Sequence, residues 1–233
     1  MTIAAPVLIL GMHRSGTSCL TGCLEEAGLY LGDVNTEADF NKKGNRENRD
    51  IMEHHDRILA RVGASWDKPP AIDPDWTQDE KDQLSSLIKG YDDIAKWGLK
   101  DPRALFLLGG WRHVTKLMFV GTFRHPYEVA SSLVHRSEAW KQPMDMETAY
   151  ALWAAYNRKM ISVHQAQPFD IIRYDILPRL YNLKLISLAL KLGLNPVANN
   201  SFREETLHNH HRDEQNVPED LKSIWESLND LAI

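Results

Sequence analysis

Apolar and polar positions along this chain follow two periods. Val7-Leu8-Ile9-Leu10 is a short continuous apolar run ended by Gly11, the pattern of a strand buried on both faces of a parallel sheet. From Thr17 the apolar residues Leu20, Cys23, Leu24 and Ala27 recur at helical spacing, and Gly28 predicts the stop. Ile51, Ile58, Leu59 and Val62 predict a second helix ending near Gly63, and a third is expected over Thr77–Ala95. Trp97-Gly98-Leu99 and Lys116–Phe123 read as strands, Glu128–His135 and Met146–His164 as helices, Phe169–Tyr174 as a strand, and Leu180–Leu192 as a helix stopped by Gly193. Strands separated by helices imply an α/β fold, a three-layer open and mostly parallel sheet with helices on both faces. Two connections stand out. Leu31–Arg46 is polar and aperiodic, longer than the usual loop and of the kind that often serves function, and Lys68–Asp75 is a Pro-rich surface turn. With no internal repeat or low-complexity tract, one domain over residues 1–233 is expected.

Composition narrows the function. The 27 Lys and Arg against 32 Asp and Glu give a formal charge of −5, which argues against a nucleic-acid partner or an anionic membrane surface. Hydrophobic residues at 43% are enough for a real core. No apolar run approaches the roughly 20 residues that span a bilayer, and the start, MTIAAP, lacks a basic leader region, so a cytoplasmic protein without membrane insertion is expected. Cys19 and Cys23 lie four apart on one helix and are expected to be small buried apolar residues, since no CxxC pair is present to suggest zinc or redox chemistry.

The candidate chemistry begins directly after the first strand. Gly11-Met12-His13-Arg14-Ser15-Gly16-Thr17-Ser18 has the two-glycine spacing of a P-loop followed by two hydroxyl residues. A glycine turn between a strand end and a helix start aims backbone N–H groups and the positive helix end at one anion, which makes a phosphate cradle. Thr17 stands where the lysine of nucleotide triphosphatases belongs, and the loop's cation is Arg14, three residues earlier. The strand Met118–Phe123 runs into Arg124 where a magnesium-binding Asp would be sought, so no metal is expected.

This loop resembles the 5′-phosphosulfate loop of sulfotransferases that use 3′-phosphoadenosine 5′-phosphosulfate (PAPS), and its Arg-Ser-Gly-Thr core is most similar to the protein-tyrosine sulfotransferase version. The resemblance implies that Arg14 neutralises the leaving 5′-phosphate while His13, Ser15, Gly16, Thr17 and Ser18 complete the cofactor loop, with 3′-phosphoadenosine 5′-phosphate (PAP) as the product. A second anion site follows the clear strand. Arg124 at its end and Ser132 about two turns into the next helix can converge on one phosphate, and the pair resembles the family's 3′-phosphate site. Ile172-Arg173-Tyr174-Asp175-Ile176-Leu177 before Leu192-Gly193-Leu194 resembles the family's later strand-end segment, which implies Tyr174 as a cofactor contact; a core tyrosine is the other reading.

Lys100 closes a short predicted strand in Trp97-Gly98-Leu99-Lys100-Asp101-Pro102-Arg103, and strand ends point at the ligand edge of an open α/β sheet. Sulfuryl transfer needs a cation where charge develops on the leaving group; Lys-Asp-Pro resembles the catalytic-lysine segment of the tyrosylprotein enzymes and implies Lys100 in that role. The histidine that cytosolic members carry two residues after their lysine is replaced here by Pro102. Glu47 resembles the acidic base of tyrosylprotein enzymes, the other reading being a helix N-terminal Glu that complements the dipole. His54, His55 and His125 are further base candidates, and His208, His210 and His211 a polar cluster read as an exposed tail or, with Arg212, a lid.

Together these features predict a PAPS-dependent sulfotransferase acting without metal on a hydroxyl or amine acceptor, through Arg14, Lys100 and Glu47. Two alternatives stand beside it: a P-loop small-molecule kinase using ATP and magnesium, and a non-catalytic nucleotide-binding protein. No pattern selects the acceptor, although Leu31–Arg46 and Trp66–Asp75 are expected to shape its pocket.

Overall fold

The computed structural model describes residues 4–38, 41, 43–139, 141, 143–197, 201–202 and 217–233. The His208, His210 and His211 cluster lies outside them.

Four strands, β1 (Val7–Leu10), β2 (Gly98–Lys100), β3 (Met118–Phe123) and β4 (Ile171–Arg173), form one sheet in the order β2-β1-β3-β4 with every pair parallel. Ile9 stands in register with both Lys100 and Val120, and Phe123 with Arg173. Strand period two divides the core. Val7, Ile9, Val120 and Ile172 pack with α1 (Thr17–Glu26) and α7 (Pro178–Lys191) on one face. Leu8, Leu10, Leu99, Phe119, Phe123 and Ile171 face the other way, toward α2 (Arg49–Arg61), α3 (Gln78–Leu87), α4 (Leu108–Val114), α5 (Pro126–Ala139), α6 (Met146–Ala166) and α8 (Lys222–Leu231). The expected three-layer α/β architecture is therefore present.

Local signals set the helix starts. Asn48 caps α2, its side chain accepting from Ile51 N; Thr77 and Glu80 form a capping box on α3; and Asp145 caps α6 through Thr148 N. One prediction overshoots. The helix expected over Thr77–Ala95 ends at Leu87 and passes into a 3₁₀ turn over Ile88–Tyr91, because Tyr91 turns inward to stack on Trp97 at 4.3 Å between ring centres. Among the described residues no helix is long and apolar enough to cross a membrane.

β1 connects outward to β2 and its neighbour β3 connects outward to β4 on the other side, so the carboxyl ends of β1 and β3 flank a crevice where ligands of open α/β sheets bind.

Candidate functional site

The loop after β1 is built from left-handed backbone. Gly11, Arg14 and Gly16 have φ of +148°, +66° and +86°. Neither glycine has room for a side chain. A Cβ on Gly11 would lie 2.5 Å from the Thr122 carbonyl oxygen, and one on Gly16 would lie 2.2 Å from the Tyr174 ring. Arg14 holds a conformation that costs an ordinary residue about 1–2 kcal/mol, and its guanidinium Nε donates to Ser132 Oγ at 2.8 Å. This bond ties the loop to α5 across 118 residues. Ser15 is fully buried and Ser18 Oγ donates to the Asn45 carbonyl at 3.2 Å.

A cavity of about 620 Å³ opens over this loop. His13, Arg14, Gly16, Thr17 and Ser18 line it together with Glu47, Lys100, Arg124 and Tyr174. Its charge is one-sided: Arg14, Lys43, Lys100, Arg103, Arg124 and Arg136 face it, against the single carboxylate of Glu47 among the lining residues. Burial first, then the charges of Arg136 and Arg124, push the Arg14 pKa down to about 10. Burial and the charges of Arg103 and Lys100 hold His13 well below the usual histidine range, so it is neutral at pH 7.

Ser132 and Arg124, expected as one pair, are placed differently. Ser132 meets Arg14, whereas Arg124 Nη2 donates to Glu128 at 3.1 Å and its guanidinium lies 5.6 Å from the Tyr174 ring centre. Arg124 Nε is buried without a hydrogen-bond partner among the described residues.

Lys100 and Glu47 are brought together. Lys100 Nζ donates to Glu47 Oε1 at 2.6 Å, with the two side chains 3% and 8% exposed. Glu47 precedes the α2 cap rather than lying in the helix; its N–H donates to Asn35 Oδ1 and its carbonyl accepts from Asn35 N. The long loop thus presents this carboxylate to the end of β2.

Behind Lys100 lies a second buried network. Trp111 Nε1 donates to His55 Nε2 at 2.8 Å, so His55 carries its hydrogen on Nδ1 and donates it to Asp101 Oδ2 at 2.7 Å. Asp101 Oδ1 accepts from the N–H and Nη1 of Arg103, whose Nε donates to Asp56 at 2.6 Å. Burial would raise the Asp101 pKa, but the Arg103 charge, followed by the His55 hydrogen bond, holds it well below the usual carboxylate range.

This placement removes the histidine base candidates. His55 has both nitrogens committed within that network. His54 packs on Trp76, and His125 packs on Trp225 while its Nδ1 accepts from Tyr127 N. None of the three lines the cavity. Cys23 is buried as expected, whereas Cys19 is half-buried at the cavity wall. Sequence reasoning missed Arg136 and Phe202, which line the cavity, whereas Trp66 belongs to the turn expected to shape the pocket. Arg136 follows Ser132 by one helical turn on α5, a spacing that places both on one face. Among the described residues no group of three or more His, Cys, Asp or Glu is placed to hold a metal ion.

No family model and no curated protein matches this chain. Solved structures resemble it, among them two sulfotransferase domains. One is the sulfotransferase domain from the curacin biosynthetic pathway, with a TM-score of 0.57 and 15% identity, covering 98% of this chain and 99% of that one. Another is the sulfotransferase domain from the Synechococcus PCC 7002 olefin synthase, with a TM-score of 0.51 and 17% identity, covering 99% and 88%. At such identities the likeness is one of architecture, and by architecture this chain has a sulfotransferase-type fold.

Proposed function

We propose that the protein transfers a sulfuryl group from PAPS to the hydroxyl or amine of an acceptor. The observation that carries this reading is the buried Lys100–Glu47 contact, a cation and a carboxylate 2.6 Å apart in a cavity whose other charged lining residues are Lys and Arg.

The cavity's residues suit a donor with several phosphate charges. Arg124 Nε is buried and unsatisfied within the described structure, and Arg14 has its charge disfavoured by burial and by two neighbouring arginines. An anion would satisfy the first and relieve the second. The closeness of Gly16 to the Tyr174 ring keeps this position of the cavity lining free of a side chain. In this reading Arg14, positioned by Ser132, and the loop from His13 to Ser18 hold the 5′-phosphate, while Arg124 and Tyr174 hold the 3′-phosphate side.

PAPS supplies an already activated sulfuryl group whose leaving group is a phosphate. Lys100 and Arg14 place positive charge where that phosphate gains negative charge, and the hydrogen bonds of Lys100 to Glu47 and of Arg14 to Ser132 hold both cations in place beforehand. Glu47 Oε1 accepts the proton of the acceptor hydroxyl as that oxygen bonds to sulfur. The bond between sulfur and the phosphate oxygen breaks in line, and the proton stays on Glu47 until solvent takes it. The Asn35 contacts keep the carboxylate in place before the acceptor arrives.

Calorimetric titration without magnesium tests this. PAP should bind more than about tenfold tighter than ADP, a difference of about 1.4 kcal/mol. Equal affinities, or binding of ATP only with magnesium, would overturn the reading in favour of a kinase.

A further inference from the structure

A second cavity of about 320 Å³ adjoins the first and shares two walls with it, Trp66 and Leu133. Its chemistry is the reverse of its neighbour's. Pro143 and Met144 join Trp66 and Leu133 as apolar lining, the charged lining residues are Asp67 and Asp145, and no Lys or Arg is among the lining residues.

The walls are held in place. The Trp66 carbonyl accepts from Tyr156 Oη at 2.8 Å, and its ring meets the His13 ring edge-on at 4.9 Å. Ser137 Oγ donates to the Val134 carbonyl and accepts from Met144 N at 2.9 Å, which ties Met144 to α5 on the opposite wall. Trp66 therefore reaches from the donor loop to the second cavity without needing to move.

Resting on the sulfuryl-transfer reading, we infer that this second cavity is the acceptor site and that it takes a compact apolar alcohol, uncharged or positively charged. The six cations of the first cavity face the donor and its phosphates; an acceptor beside Trp66 and Leu133 meets apolar surface and two carboxylates. A ring the size of a phenol can lie against the indole and bury apolar area there. A carboxylate or sulfate on the acceptor would be set beside Asp67 and Asp145, where like charge opposes it. The volume suits a ring with a short side chain.

The experiment uses three phenols alike in size, 4-ethylphenol, tyramine and 3-(4-hydroxyphenyl)propionate, with PAPS as donor and PAP affinity measured separately by calorimetry. The wild-type protein should turn over the neutral and cationic phenols with kcat/KM about tenfold above that of the carboxylate. The D67N/D145N double variant should bring the carboxylate to within about threefold of 4-ethylphenol. Thr148 is exposed at the cavity wall, and Thr148→Trp should fill it, raising KM for 4-ethylphenol about tenfold with PAP affinity unchanged. Equal turnover of the carboxylate by the wild-type protein would overturn the inference, as would an unchanged KM in Thr148→Trp or tight PAP binding with none of the three phenols sulfated. Failure to bind PAP would instead remove the sulfuryl-transfer reading on which the inference rests.

Discussion

On the loop side of the main cavity, Arg14, Arg124 and Arg136 line one wall, and burial, followed by the charges of Arg136 and Arg124, lowers the basicity of Arg14. On the β2 side the same kind of charge is matched group by group: Lys100 with Glu47, Asp101 with Arg103 and His55, Arg103 with Asp56. Burial alone would lower the Arg103 pKa, yet Asp101 and Asp56 raise it above its ordinary value. The first wall sets several cations about one loop, whereas the second pairs each of its charges with a named partner. Under the proposed function the loop-side wall supplies affinity for a polyanionic donor, and the β2-side wall keeps a lysine and a carboxylate at a fixed distance.

Breaking the β2-side wall should have the largest effect. Asp101→Ala leaves Arg103 buried with one fewer partner and His55 without an acceptor, and should lower unfolding stability by about 3–5 kcal/mol in urea titration. A loss below about 1 kcal/mol would show that the network is incidental. Because the Asp101 pKa is depressed from its unfolded value of 3.8, its contribution is complete above that pH and fades as the pH falls toward the folded value. The wild-type protein should therefore lose stability below about pH 4 more steeply than the variant. Next comes Lys100→Met, which under the proposed function should reduce turnover about 10²–10³-fold. PAP affinity, set by the other wall, should change by no more than about threefold. A parallel loss of both would place Lys100 in binding rather than in chemistry.

The sequence makes the β2-side wall only half legible. Val7–Leu10 and Met118–Phe123 read as strands because both faces are buried, and strand ends in such sheets point to Lys100 and Arg124. Yet the Lys100–Glu47 contact spans 53 residues and depends on how Asn35 folds the long loop back, which no local period encodes. α4 escapes notice because Gly109-Gly110 reads as a turn; the structure shows that Gly110 is required by packing, since a Cβ there would lie 1.8 Å from the Trp76 ring. α8 is also unanticipated, although Ile224, Trp225 and Leu228 are buried at helical spacing. The Trp66–Asp75 turn is identified from its prolines, but the part played by Trp66 follows from its contact with His13, which only the fold creates.

Breaking the loop-side wall should cost less than breaking the other. Arg124→Met keeps the bulk of the side chain over Tyr174 and removes its charge. PAP binding should weaken about tenfold while ADP binding changes little, so the preference for the 3′-phosphorylated ligand collapses. An equal loss for both ligands would assign Arg124 to the 5′ side with Arg14.

The smallest effect separates either wall from the histidines outside the cavity. His54 is buried against Trp76, and burial, followed by the charges of His55 and Arg57, lowers its pKa from 6.5 to about 4. Above pH 6.5 it is neutral in both folded and unfolded chains and contributes no pH dependence. As the pH falls from 6.5 toward 4, the unfolded chain takes up a proton that the folded protein refuses, and stability declines. His54→Phe should keep the ring contact and flatten this slope, recovering about 1 kcal/mol at pH 5 once solvent screening is allowed for. Urea midpoints at pH 7 and pH 5 measure the difference. If the variant and the wild-type protein decline in parallel, His54 is not the group that titrates, and the acid sensitivity belongs to the charged walls of the cavity.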